Sequence, residues 1–441
     1  MSTDGRYVTG RRHAAQTGPI DALLPQGARR RATLGFILVT VALDMLAMAI
    51  VIPVLPSLIL EFVGGDTARA AGWFGLFGTA WALMQFFCAP VQGALSDRFG
   101  RRPVILLSNL GLGLDYILMA LAPTLGVLLL GRILSGATAA SMSTTGAYIA
   151  DVMPPDRRAA GFGMINVAVG LGLVLGPALG GVLGALDPRL PFWVAAGLSL
   201  LNGAYGLAIL PESLPHADRA RFTWRRANPI GALGLLRADP VLVGLGAVNF
   251  LGALAQQALP AVFVLYTGYR YNWDERTVGM ALAGLGICFA IVGSALVQPV
   301  VRRLGERRTM LAGLAAGACG FAIFALAPTG GVLKLGIPVM AFWSLGSAAA
   351  QGLMSRRVAA SEQGRLQSAG SSLAGVAGLL GPGLFTGIFA LSIAGFHGLV
   401  LPAAPFLAAM LAMVGAAVLA AWVTPRNAAA GSDGSIHNAS N

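Results

Sequence analysis

Long apolar runs alternate with short polar segments along this chain. A helix needs about 20 apolar residues to cross a bilayer core. Runs of that size fall near 34–60, 72–95, 103–122, 126–149, 161–185 and 191–210. After a longer polar stretch they resume near 241–268, 277–299, 308–327, 333–354, 367–393 and 399–423. The pattern predicts an all-α membrane protein of twelve transmembrane helices. Gly and Pro within the runs are ordinary in such helices. The polar segments divide the chain into a tail at 1–33, a six-helix bundle at 34–210, a linker at 211–240, a second six-helix bundle at 241–423 and a tail at 424–441.

Composition narrows the class. Of 441 residues, 56% are hydrophobic and 11% charged, whereas soluble domains carry about 25% charged residues. A compact soluble enzyme cannot cover its surface with so few charges, and a disordered or disulfide-rich secreted chain is also excluded. The net charge of +12 could suggest nucleic acid in a soluble protein, but here it reads as loop charge that sets topology. With the N-terminus inside, the inner segments hold 24 Arg and the outer loops five Arg or Lys, with Arg132 inside a span. That asymmetry places both termini in the cytoplasm and supports an even number of spans. Cys88, Cys288 and Cys319 lie in apolar runs without disulfide or metal spacing. No cofactor and no metal are expected.

The chain repeats itself. Asp97-Arg98-Phe99-Gly100-Arg101-Arg102 follows span two, and Arg302-Arg303-Leu304-Gly305-Glu306-Arg307 follows span eight. Gly176-Pro177 stands in span five and Gly381-Pro382 in span eleven. Both pairs are offset by 205 positions, which predicts a duplicated six-helix unit. Parallel repeats of this kind occur in transporters whose two bundles rock around a midplane site.

The residues from Gly93 through Asp97, Arg101 and Arg102 resemble the signature loop of the major facilitator superfamily. Gly172, Gly176, Pro177, Gly180 and Gly181 resemble the antiporter motif of its drug-exporting branches. Local strings resemble the tetracycline/proton antiporters: Leu83-Met84-Gln85, Asp115-Tyr116, Gly131-Arg132-Ile133, Ala147 to Asp151, Gln351 to Ser355 and Gln363 to Gln367. The resemblance runs from about residue 34 to 423. It implies proton-coupled efflux of tetracycline-like or other lipophilic drugs by alternating access. It also implies a location in the bacterial inner membrane, with protons, a lipophilic drug and membrane lipid as partners and a monomer as the assembly. Those antiporters carry a histidine in span eight and an aspartate in span nine, where this chain has Phe289 and Gly317. Coupling by protons would then fall on Asp44, Asp115 or both.

Three ionisable side chains lie inside spans: Asp44, Asp115 and Arg132. Each costs roughly 2.5–3.5 kcal/mol at a helix centre before any pairing, so each requires a reason. Asp44 lies about ten residues into span one, roughly 15 Å deep, as a protonation site, as a binder of a cationic substrate group, or as an acid tied to a neighbouring helix. Asp115 and Arg132 flank the turn at Thr124 at similar depth. They read as a buried ion pair fixing helix register or as a proton-coupling pair. Asp97, Arg101 and Arg102 read as anchoring turn residues or as a gate latch, with Asp97 pairing to cations or a helix N-terminus of the other half and Asp151 as partner for Arg101. Gly176-Pro177 reads as generic packing, or as a hinge or leak-tight helix contact. Gln85, Asn249, Gln256, Phe289 and Gln351 are the candidate substrate-cavity residues. Two rivals remain. One is a metabolite transporter of the same fold. The less favoured is an intramembrane enzyme, for which neither an HExxH nor a GxSxG pattern is present.

Overall fold

The computed structural model describes residues 26–139, 141–154, 157–215, 219, 239–359, 362–395 and 400–424. The described chain is helical throughout. In the first half, α1 (Gln26–Ile50), α2 (Leu55–Phe62), α3 (Thr67–Phe99), α4 (Arg101–Ala120), α5 (Leu125–Thr138), α6 (Ser141–Val152), α7 (Arg158–Gly184) and α8 (Leu190–Ile209) follow in order. In the second half come α9 (Pro240–Gln256), α10 (Ala258–Tyr271), α11 (Glu275–Ile291), α12 (Val297–Leu304), α13 (Glu306–Leu326), α14 (Gly330–Ala341), α15 (Trp343–Ser355), α16 (Gln363–Ala394) and α17 (Ala404–Val423). A π-helical turn, Val292–Leu296, joins α11 to α12.

Among the described residues, eleven helical stretches are long and apolar enough to cross a membrane. The fourth predicted span differs. Its first helix stops at Thr138, with Ala139 outside it, so α5 and α6, of 14 and 12 residues, share its length. The run at 126–149 looked continuous because its small and hydroxylated residues keep it apolar while weakening the helix locally. The two tails beyond residues 26 and 424, most of the linker and all four histidines lie outside the described residues.

Local chemistry explains where the helices begin and turn. Asp66 caps α3 by accepting from the amides of Ala68 and Arg69, each at 3.0 Å. Asp274 caps α11 by accepting from Thr277 N at 2.9 Å. The Thr277 hydroxyl, and after it that amide, hold its carboxyl below the usual carboxylate range. Asp239 caps α9 through Val241 N at 2.9 Å and pairs with Arg357 at 3.0 Å. The Val241 amide and then Arg357 likewise depress its pKa. Between such caps the helices are apolar, and outward side chains such as Leu107, Leu207 and Trp422 are 64–82% exposed. A continuous apolar exterior of this kind is suited to lipid.

The duplication is visible in the backbone. Gly100 and Gly305, offset by 205, both adopt positive φ, +107° and +76°, and both open a helix. Gln257 breaks the helix between α9 and α10 and stands 205 positions after Ile52, in the break between α1 and α2. Pro90 inside α3 corresponds by the same offset to Ala295 in the π-helical turn. The first-half helices pack chiefly on one another, as do those of the second. The sets meet chiefly where α3 packs on α16 and α7 on α11, with smaller contacts of α10 on α3 and α2.

The interiors of the two sets differ. Buried polar or charged residues of the first half include Asp44, Arg101, Asn109, Asp115 and Asn202. In the second half the described ones are Thr267, Thr309, Ser372 and Thr386. Hydroxyls can bond back to their own helix, as Thr267 and Thr386 do. The first-half groups require partners from other helices, so that half carries the costly polar interior.

Candidate functional site

A cavity of about 1040 Å³ lies between the two sets of helices. Its walls include Gln85, Phe86 and Trp81 of α3, Arg132 and Ser135 of α5, and Gln367 and Ser371 of α16. It extends to Asp97, at the face that carries the arginine-rich loops, and its other end reaches Leu55 and Pro382. A second cavity of about 500 Å³ lies within the second half and shares Gln367, Ser371 and Ala374 with the first. The five residues predicted for a substrate cavity divide between them. Gln85 lines the larger; Asn249, Gln256, Phe289 and Gln351 line the smaller.

The end away from the arginine-rich face is closed by the Gly-Pro motifs. Gly172, Gly176 and Gly180 recur every four residues and share one face of α7. A Cβ at Gly172 would lie 2.5 Å from that of Met45, one at Gly176 would meet Ala49, and one at Gly180 would meet the Ile50 carbonyl. These three glycines therefore let α7 lie directly on α1. Gly181, the next residue, faces the other half, where a Cβ would meet the Glu275 carbonyl and come within 3.1 Å of Gly279 Cα. A Cβ on Gly279 would in turn meet the Pro177 carbonyl. The second-half copy repeats the arrangement. Gly381 receives Gln257, and Pro382 packs on Gly78 of α3, 2.7 Å from where a Cβ would be. One motif thus joins two helices within its half and also contacts a helix of the other half.

The three ionisable side chains predicted inside spans gather around one residue. Tyr116 is 2% exposed, and Arg132, Asp115 and Asp44 all lie within its electrostatic reach. Asp44 accepts a hydrogen bond from Asn202 Nδ2 at 2.9 Å, and the same amide donates to the Thr40 carbonyl at 2.9 Å. This ties α1 to α8 in the bundle interior, away from the residues lining the two cavities. Asp115 is also interior. Its Oδ1 stands 2.7 Å from the Cβ position of Gly131, and Arg132 and Ser135 are its polar neighbours. The ion pair weighed from sequence is not closed. No approach within 4.0 Å joins Asp115 to Arg132, whose Nη2 lies 3.2 Å from the Met119 sulfur. The two do share one region of the bundle, but Arg132 lies on the cavity wall, where it can stay hydrated, while Asp115 faces inward.

At the arginine-rich face, Arg101 is 7% exposed. Its Nη1 donates to Asp97 Oδ1 at 2.5 Å and to Ser96 Oγ at 2.6 Å, and its Nε donates to Asp151 at 3.0 Å. The Arg101–Asp151 pair stands where the sequence reading put it. Asp97 differs: its described partner is Arg101 of its own half, and the cavity separates it from the other half at this end. Arg102 donates to the Leu207 carbonyl at 2.5 Å. Glu212 was missed. Its carboxylate accepts from the amides of Arg101 at 2.8 Å and Arg102 at 3.3 Å, and so occupies the N-terminus of α4. Gly100 makes room for it, since a Cβ there would meet the Glu212 carboxylate. The available signal was an acid beside Pro211, directly after span six, in a segment read only as linker. Glu212→Gln is expected to lower thermal stability by about 0.5–1 kcal/mol, measurable as a small fall in melting temperature.

The chain has extensive similarity to known proteins. The Major Facilitator Superfamily model matches residues 37–382. The chain is 38% identical to the class C tetracycline resistance protein of Escherichia coli, over 82% of this chain and 91% of that protein. It is 38% identical to the class G tetracycline resistance protein of Vibrio anguillarum, over 82% of this chain and 91% of that protein. Among solved structures, the nucleoside transporter NupG superposes with a TM-score of 0.72 at 14% identity, covering 89% of this chain and 98% of that one. The human organic anion transporter MFSD10 superposes with a TM-score of 0.65 at 24% identity, covering 89% and 99%. Its duplicated helical sets, its central cavity and these matches show that the chain belongs to the major facilitator superfamily.

Proposed function

We propose that this chain is a proton-coupled efflux transporter for tetracycline-like or other lipophilic drugs, working by alternating access. The observation that carries the reading is the central cavity, bounded by both halves, reaching Asp97 at one end and shut by the Gly-Pro contacts at the other. Similarity to tetracycline resistance proteins supports the substrate class. In this reading the chain makes twelve passes, with α5 and α6 counted as one, in bundles at 34–210 and 241–423. The linker at 211–240 and both termini lie in the cytoplasm of a bacterium, and the protein works as a monomer in the inner membrane. The conformation is then the one that admits drug from the cytoplasm. The reading involves no catalysis, cofactor or metal.

Coupling is assigned to Asp115 and Arg132. Arg132 borders the drug path, and Asp115 lies behind it within electrostatic reach. Protonation of Asp115 removes the negative charge that balances Arg132, so the two protonation states differ in affinity for a charged ligand. A ligand or proton shifts a conformational balance only through such a difference. Asp44 is assigned to holding α1 on α8 through Asn202.

A pump-deficient bacterial host expressing the chain tests this. Wild type is expected to raise tolerance to tetracycline by tenfold or more. Asp115→Asn and Arg132→Ala are each expected to remove most of that gain, whereas Asp44→Asn, which keeps an acceptor for Asn202, retains it. A host whose tolerance to every drug in a panel stays unchanged would favour the metabolite-transporter reading.

A further inference from the structure

The duplication reverses sign at the arginine-rich face. The 205-residue offset carries Asp97 to Arg302, Arg101 to Glu306 and Asp151 to Arg356. The Arg101–Asp151 pair is matched by an Arg356–Glu306 pair with the charges exchanged, each at 3.0 Å. The third member is not matched. Asp97 pairs with Arg101 in its own half, whereas Arg302 has no ion-pair partner among the described residues. Register shows what these ends face. The α3–α16 contact sets Gly75 against Thr386, Gly78 against Pro382 and Gly375 against Phe86. The helices run antiparallel, so the same register continued to the arginine-rich face sets Asp97 opposite Gly364, at the start of α16. There an acid faces a helix N-terminus, a favourable arrangement. The α7–α11 contact sets Gly279 against Gly181 and Gly286 against Val174. Continued through α12, that register sets Arg302 opposite Arg158, at the start of α7. Arg303 and Arg157 stand beside them, and all four arginines are exposed. Asp156, next in sequence, lies outside the described residues, and with it counted residues 156–158 still carry net positive charge. Closing this end therefore brings an acid to a helix N-terminus at one seam, and arginines to arginines and a helix N-terminus at the other.

We propose that an anionic phospholipid headgroup bridges the α7–α12 seam and thereby favours closure of the arginine-rich end. The proposal rests on the alternating-access part of the reading above and is independent of the drug carried. A phosphodiester carries the missing negative charge and accepts hydrogen bonds from guanidinium groups on both sides. The surface beside the arginines favours a lipid over a free anion. No residue of α12 is buried, and Leu304, next to Arg303, is 45% exposed. Basic side chains at helix ends on the cytoplasmic side attract anionic lipid in this way. When the seam opens, the arginines of α7 and α12 part and one headgroup serves only one helix. The lipid thus has higher affinity for the closed state, which is the condition for shifting the balance.

The test places spin labels at the arginine-rich ends of α7 and α12 of the full chain in lipid nanodiscs. The discs hold phosphatidylcholine alone, phosphatidylcholine with phosphatidylglycerol, or phosphatidylcholine with inorganic phosphate in the buffer. The readout is the ratio of short to long label distances. Phosphatidylglycerol is expected to raise that ratio about tenfold in the wild type, and inorganic phosphate to leave it near its neutral-lipid value. Arg302→Asp gives this seam the sign that Asp97 gives the other. It should close as readily in neutral lipid as the wild type does with phosphatidylglycerol, and gain little more from the anionic lipid. Arg308→Gln removes an exposed arginine from α13, which packs chiefly on α14, α15 and α17, and should respond as the wild type does. Arg302 is exposed, so its variant is expected to fold normally, with a melting temperature near that of the wild type as the check. A wild type indifferent to phosphatidylglycerol overturns the bridge, as does an Arg302→Asp variant that stays open in neutral lipid. Loss of the response in Arg308→Gln would assign it to surface charge at large and also overturns the bridge. Equal closure by inorganic phosphate overturns the lipid as its occupant. Each of these results leaves the efflux reading standing. Distances that stay fixed in every disc, in both variants and with tetracycline added overturn alternating access and this bridge with it.

Discussion

Alanine at Gly181 is expected to shift the balance between the two facing states, whereas alanine one residue earlier, at Gly180, is expected to weaken the first bundle itself. The difference follows from where each Cβ would point. At Gly180 it meets the Ile50 carbonyl, with the carbonyl carbon 2.8 Å away. That neighbour is backbone of α1, which belongs to the same bundle in every state. Overpacking of this kind costs about 1–3 kcal/mol, so Gly180→Ala should lower the melting temperature and the yield of folded protein. At Gly181 the Cβ meets the Glu275 carbonyl and approaches Gly279 of α11. In alternating access that contact exists only while this end is shut. The same 1–3 kcal/mol then acts on one state alone and shifts the equilibrium by roughly 5–150-fold. Distances between spin labels at the ends of α7 and α11 would report the shift as a larger open fraction. Gly170, which has nothing within 4 Å of its Cβ position, is the control: its alanine variant should be neutral or slightly stabilised by helix propensity. Equal behaviour of the Gly180 and Gly181 variants would remove the distinction.

These two glycines also show what was legible in the sequence. The spacing of Gly172, Gly176 and Gly180 is a helix-face repeat that can be read by counting, and the 205-residue offset exposes its partner motif. The helix that each face meets is a tertiary fact, and no local pattern assigns α1 to Gly180 and α11 to Gly181. The same boundary separates the charged residues. Turn length places Asp115 and Arg132 at similar depth, and they do occupy one region. Helix rotation then turned Arg132 to the cavity and Asp115 inward, which depth alone does not determine. The break within the fourth span escaped because hydropathy measures apolar content and is insensitive to a local loss of helix. Glu212 escaped for the opposite reason. An acid in a polar linker looks solvated until the fold brings the N-terminus of α4 to it, 110 positions away in sequence. By contrast, Arg101 and Asp151 could be paired from sequence because both lie at the ends of spans that surface at the same face.

That pair carries the other large expected effect. Arg101→Ala should cost about 2–4 kcal/mol of stability and most of the transport activity. A guanidinium removed from a buried network leaves its acceptors without their cation, at about 3–5 kcal/mol for a fully buried pair. The cost here is reduced because the Asp97 side chain is 41% exposed and that of Asp151 22%, which lets water reach both. Arg101→Lys separates charge from geometry. Nε and Nη1 of Arg101 serve Asp151, Asp97 and Ser96 together, and a planar fork can hold these directions at once where a single ammonium cannot. Lysine should therefore recover the electrostatic attraction to one carboxylate and lose the shared bridge, giving an intermediate melting temperature. The backbone amide of residue 101 still donates to Glu212 in both variants, so the start of α4 should remain capped. Asp151→Asn leaves Ser213 its oxygen acceptor and removes one of the two negative charges beside Arg101, which should place it between lysine and wild type. The ordering Arg101→Ala below Arg101→Lys below Asp151→Asn below wild type, read by thermal unfolding in detergent and by efflux in cells, tests whether the bridge depends on the fork. Lysine performing as well as arginine would mean that charge alone holds the loop.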